Sequence, residues 1–371
     1  MIKPTTFTPI IVGTLLWGSQ YGYASPAITG ASGTASQGST LTLTGSGFGT
    51  KPTAAPFYFN DFEAATVGQT ALQAGLDDEG NDGQGLPYVR SDRALSGSKS
   101  LRMDYLTNKD SMFPRIGKGG LSSNEVYVSV WTYWTHTAGS GGSPFIFKLV
   151  RGGANPSYSG VPKFYETIRP GLDGIVDGTD RGSVNSSNVS TYSDNITLGQ
   201  NAGGWHRSEY YFKLSDPGVA NGQFFTWVDG KLNANLSGVV SRLSGNSSNI
   251  NYVMSPFDGI DSYGLTNSYQ VWADDFYVDT TRARVEIGDG STLATSTKRT
   301  VLPATQWSAS SVTVKANVGL FPSGSKAYLY VFDPSGNVNS AGYPVTIGTS
   351  AGGGTTTASV TPDPPTNVSV Q

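Results

Sequence analysis

The chain predicts an all-β protein of the sandwich type, on three observations. Short runs of aromatic and β-branched residues alternate with a period of two, Gly, Asn, Asp or Pro bounds nearly every run, and no long segment has helical period with caps. Glycine supplies 48 of the 371 residues, nearly twice its usual share of about 7%, and charged residues are 14% against a usual figure of roughly 25%. Turn-rich composition with little charge suits exported β-proteins, and the length accommodates two domains with a sizeable core and no covalent help.

The first segment, 1–24, carries one cation at Lys3, an apolar stretch from Ile10 to Trp17, and the small residues Gly22 and Ala24 before a cut after Ala24. That pattern predicts a secretory signal. The apolar stretch is too short to cross a hydrocarbon core of about 30 Å, so the mature chain is expected to be secreted or held at the cell surface with no membrane span. Next, TLTLTG within 28–49 alternates as a strand, and Gly45, Gly47 and Gly49 suit a tight loop after it. The runs 125–135, 144–150, 205–214, 223–232 and 269–279 read as strands in turn, followed by SVTVKA at 311–316 and KAYLYVFD at 326–333. Neither 28–49 nor 306–348 is long enough to bury two sheets alone. The expectation is that 25–56 and 284–348 are halves of one small β-domain with 57–283 inserted between them, the alternative being three beads in a row. The tail 349–371 has the Gly, Thr and Pro content of a linker, and its last residues, PPTNVSVQ, resemble the first strand of a fibronectin type III domain.

Two further resemblances sharpen this outline. The opening I-T-x-x-S-G with L-T-L-T-G-x-G-F-G, and the closing W-S-x-S-S-V-T-V-K with a last strand ending PVTI, resemble the two ends of a TIG domain. That resemblance implies a smaller immunoglobulin-like β-sandwich. Within 57–285, Asp61-Phe62-Glu63, the strand Ser96 to Leu101, Trp205 with Glu209, Trp227 to Gly230 and Asp274 to Val278 resemble concanavalin A-like jelly rolls of the laminin-G, carbohydrate-binding and polysaccharide-lyase type. The second resemblance implies a jelly-roll β-sandwich and a polysaccharide partner. It also implies a structural Ca²⁺ that ties the first and last strands through Glu63 and Asp275, with Asp274 or Asp61 in support; the alternative is that these acids are solvated. Oxygen ligands distant in sequence suit that ion.

Composition excludes several classes. A net charge of −3 with no basic stripe argues against nucleic acid. Zero cysteine removes thiol and Cys-zinc chemistry, and His136 and His206 are the only histidines.

Alternation places Val126, Val128 and Val130 inward and Tyr127, Trp131 and Tyr133 on the opposite face. In 205–214 the same rule sends Tyr210, Phe212 and Leu214 to the core and Arg207, Glu209, Tyr211 and Lys213 outward. With Trp227, the outward set makes a candidate carbohydrate groove, since aromatic rings stack on sugar faces and polar neighbours take hydroxyls. The competing reading is cross-strand pairs that merely hold the sheet. No E-x-D-x-E run supplies the paired carboxylates of a retaining glucanase. Were the chain an enzyme, a polysaccharide lyase using Tyr211, Arg207 and His206 is the reading, although the strand only partly matches the alginate-lyase pattern and His206 is out of phase with Arg207. A secreted glycan-binding module is therefore expected, with a lyase or a structural adhesin or matrix protein as alternatives.

Overall fold

The computed structural model describes residues 25–80, 86–105, 111–112, 115–136, 146–154, 163–170, 176–177, 182–186, 189–192, 203–255, 260–261 and 269–351. The expected signal segment and most of the linker tail lie outside them, as does the side chain of His136. The protein is all-β, with a single 3-10 turn, Leu293–Thr295, among the described residues. No helix there is long and apolar enough to cross a membrane.

The larger unit is a jelly-roll β-sandwich. One sheet runs in the order Lys231–Val239, Gly222–Val228, Trp205–Lys213, Glu125–His136, Tyr269–Asp279, Ser100–Tyr105, Tyr88–Arg90, with Tyr58–Asn60 against the end of Tyr269–Asp279. The facing sheet centres on Lys163–Pro170, Ile146–Gly153, Ile250–Met254 and Gly117–Ser123. Val126, Val128, Val130, Tyr210, Phe212 and Leu214 lie in the core between the sheets, where their alternation sends them.

The smaller unit is built from both ends of the described chain. Thr40–Ser46 pairs antiparallel with Ala27–Thr34 on one side and with Ser311–Lys315 on the other, Leu41 opposite Val314 and Leu43 opposite Val312. A second sheet, Arg299–Leu302, Arg284–Gly288, Lys326–Phe332 and Tyr343–Thr346, packs on the first. Leu41, Leu43, Val285, Ile287, Val312 and Leu329 share one buried core between them, so residues far apart in sequence close a single sandwich.

A register shift interrupts the long strand between Asp274 and Tyr277, with Asp275 at φ 50°. The bulge lets two consecutive aspartates both be buried and then returns Phe276 and Val278 to the core while Tyr277 points outward. Glycine is required at two approaches between the units. A Cβ on Gly230 would come within 2.5 Å of the Arg299 guanidinium, and one on Gly319 would meet Ser96 at 2.7 Å.

Candidate functional site

Register places Tyr127 opposite Tyr211, Ser129 opposite Glu209, Trp131 opposite Arg207 and Tyr133 opposite Trp205, so these residues share the outer face of the sheet. The middle of that face is closed. Tyr127, Arg207, Glu209 and Tyr211 are 1%, 2%, 2% and 3% exposed, because Arg284–Gly288 and Arg299–Leu302 of the smaller unit lie over them. Arg207 forks onto both oxygens of Glu286 at 3.1 and 3.0 Å, Arg284 Nε donates to Glu286 at 2.7 Å, and Arg299 reaches Glu286 at 3.2 Å and Glu209 at 3.4 Å. The Arg284 guanidinium lies between the rings of Tyr127 and Phe332, at 4.1 and 3.7 Å. Burial alone would raise the Glu286 carboxyl, but Arg207, Arg284 and Arg299 outweigh it and hold the group below the usual range. A groove along Tyr127, Arg207, Glu209 and Tyr211 is thus an internal interface, open to no polymer. Alternation identifies the outer face but carries no information about what covers it.

The lyase constellation does not assemble either. The Tyr211 hydroxyl donates to Glu125, Arg207 is consumed by Glu286, and His206 Nδ1 lies 2.7 Å from Asp229 Oδ2. Lys213 is exposed at the opposite end of its strand from His206, and Trp227 is half-buried against Phe225 in the aromatic patch beneath Val301.

Beyond Arg207 the same face opens into a cleft of about 570 Å³ between the two units, lined by Leu95, Trp131, Trp205, His206, Asp229, Thr297, Lys298, Gly319 and Leu320. Asp229, at φ 49° in an Asp-Gly turn, accepts from the Arg207 backbone N–H at 2.9 Å as well as meeting His206. Trp131 is 5% exposed, and among the described residues its buried Nε1 has no acceptor. Beside the cleft a row of cross-strand neighbours continues the face: Trp205, Tyr133, Trp272 and Arg102. Tyr133 meets Trp205 edge-on at 5.7 Å and Trp272 at 5.8 Å, with the Arg93 guanidinium over Tyr133 at 3.7 Å. Of the expected groove residues, Trp131 and Tyr133 stand here. Lys298 and Arg93 escape the sequence reading, and Trp205 and Asp229 enter it only as marks of the fold, since only pairing register and contact between the units bring the four together.

The acids expected to hold calcium converge on one loop, Leu95–Lys99. Glu63 accepts from Ser98 N, Ser98 Oγ and Lys99 N at 2.7, 3.0 and 2.6 Å. Asp274 accepts from Leu95 N and Ser96 N, while Asp275 accepts from Ser96 Oγ, Thr300 Oγ1 and Asn317 Nδ2. The Lys99 ammonium takes the carbonyls of Glu63 and Ala65 at 2.7 and 2.6 Å. These oxygens are committed to protein donors, one of them a cation, and no group of three or more His, Asp or Glu among the described residues is placed to hold a metal. The donor set does not fit a calcium cage. The expected result is that chelation followed by added Ca²⁺ leaves the melting midpoint in place; a rise with calcium would show that the loop rearranges around the ion.

The sequence matches no described protein family, and no curated protein matches it. Among solved structures, the chain is similar to an endo-β-1,4-glucuronan lyase from the fungus Trichoderma reesei, at 17% identity and a TM-score of 0.46, over 61% of this chain and 96% of that one. It is also similar to a marine alginate lyase from Aplysia kurodai, at 11% identity and a TM-score of 0.44, over 61% and 99% of the two chains. A cellulose-induced protein is similar at 17% identity and a TM-score of 0.38, over 60% and 97%.

Proposed function

We propose that the protein is a secreted, lectin-like module that binds an extracellular or cell-surface polysaccharide in the cleft between its two sandwiches, with the TIG-like smaller unit forming one wall. The observation that carries this reading is the cleft of about 570 Å³, with Trp131 in its wall. Around it stand what a pyranose needs: the half-buried ring of Trp205 for an apolar face, and Asp229, Thr297 and Lys298 for hydroxyls or acid groups.

The test is retention on a panel of acidic and neutral polysaccharides, with ultraviolet absorbance followed for unsaturated uronates. Retention without turnover is expected, and Trp205→Ala is expected to weaken it at least about tenfold, or about 1.4 kcal/mol, while the circular dichroism spectrum stays unchanged. Equal retention by wild type and Trp205→Ala removes the cleft as the site. A lyase is the second reading, favoured by the His206–Asp229 pair alone. Rising absorbance that is lost in His206→Ala selects it, and neither signal selects a structural adhesin or matrix role.

A further inference from the structure

Away from the cleft, Lys51 and Asp279 meet where the chain crosses between the two units. Lys51 lies on the segment entering the larger sandwich, and Asp279 ends the strand that leaves it. Lys51 Nζ is 2.5 Å from Asp279 Oδ2, with the two side chains 1% and 2% exposed. The chamber is largely aromatic: the Trp307 ring centre is 5.6 Å from Nζ, and the Tyr277 ring, itself packed edge-on against Phe59, forms another wall. Two donors fix the carboxyl group, Tyr277 O–H on Oδ2 at 2.7 Å and Thr280 N–H on Oδ1 at 2.8 Å. Ala54 O, at 3.0 Å, holds the amine from its other side.

Burial lowers the Lys51 pKa despite Asp279, and burial raises that of Asp279 despite Lys51. Each is pushed toward its neutral form, which is the form in which an amine attacks and a carboxyl accepts attack. An ion pair sealed among rings also has little solvation to lose by ceasing to be one.

We infer that Lys51 and Asp279 condense to an intramolecular amide that staples the entry and exit of the larger sandwich. The ammonium first passes a proton to the carboxylate, leaving an amine and a carboxylic acid. The Nζ lone pair then adds to Cγ, forming the Nζ–Cγ bond. The Thr280 N–H stabilises the charge on Oδ1, which becomes the amide oxygen. A proton moves from Nζ to the hydroxyl at Oδ2, the Cγ–Oδ2 bond breaks, and one water leaves past Tyr277. No oxidant, reductant or co-reactant enters the balance. Held pairs react with effective molarities of about 10⁵–10⁸ M, and a water-excluding chamber opposes the reverse hydrolysis.

The experiment is mass spectrometry of the purified full chain, with its N-terminus defined by peptide sequencing. The intact protein is expected to be lighter than its sequence by one water, and digestion to yield one branched peptide joining the Lys51 and Asp279 segments. Lys51→Arg keeps the charge and is expected to restore the full mass with no branched peptide. If that variant does not accumulate, the wild-type peptide map decides by itself. Full sequence mass in the wild type overturns the proposal, as does water loss without a branched peptide, the signature of an imide formed at an aspartate.

Discussion

Glu286→Gln is expected to lower the melting midpoint by about 6 °C, the largest single-residue loss on the face between the units. Glu286 is fully buried and is met by Arg207, Arg284 and Arg299, while Glu209 is the cluster's other acid. Three guanidinium groups against two carboxylates already leave one positive charge in excess, offset by Ser129 Oγ, by the carbonyls of Arg299 and Arg282, and by the rings of Tyr127 and Phe332. Glutamine doubles that excess and turns an amide donor toward groups that themselves only donate. Breaking a buried ion pair from one side costs about 3–5 kcal/mol, and at about 2.1 cal/mol/K of unfolding entropy per residue the midpoint moves by roughly 1.5 °C per kcal/mol in a protein of 371 residues. The cluster spans both units, so both are expected to unfold in one transition at the lowered midpoint. A shift below about 2 °C would mean that water reaches the cluster and the interface is not sealed.

The reason no groove runs along Tyr127, Arg207, Glu209 and Tyr211 is plain from those same residues. Period-two alternation separates Val126, Val128 and Val130 from Tyr127, Trp131 and Tyr133, and the structure has them on opposite faces. An outward Arg–Glu–Tyr ladder, however, reads the same whether it faces solvent, sugar or another sheet. What distinguishes these cases is Glu286, 79 residues from Arg207, and no local pattern links the two. The open part of the face depends on register: Trp205, Tyr133 and Trp272 become neighbours only once three strands are paired. Asp274 and Asp275 show the converse limit. Strict alternation would bury one and expose the other, and it is the bulge at φ 50° that buries both and makes them anchors for Leu95 and Ser96 at the cleft. All-β character was legible because it rests on composition and local period, which no tertiary contact can reverse along so many runs.

Stability is expected to peak near about pH 4 and to fall toward about pH 6, with Asp275→Asn flattening the alkaline limb. Burial raises the Asp275 carboxyl from 3.8 to about 6, against the donors Asn317, Ser96 and Thr300 and with Asp61 adding to the rise. Burial and the neighbouring Asp275 charge push Asp274 the same way. Between the unfolded and folded values the native state binds the extra proton, so stability present at low pH is lost as pH rises through the folded value. For Asp275 the loss is about 3 kcal/mol. Glu286 works in the opposite sense: its folded value lies below 4.5, so its contribution is present above that pH and is lost as the pH falls further. The two windows meet near about pH 4: the contribution of Glu286 is nearly complete by about pH 4.5, while that of Asp275 is whole below about 3.8 and declines from there to about 6. With its oxygen in the place of Oδ2, asparagine still accepts from Thr300 and Asn317 and turns its NH2 to the Ser96 hydroxyl oxygen, but it has no proton to lose, so the readout is the slope of midpoint against pH rather than the midpoint itself. An unchanged slope in Asp275→Asn would assign the limb to other groups and leave the buried pair charged throughout, held by its amide and hydroxyl donors alone.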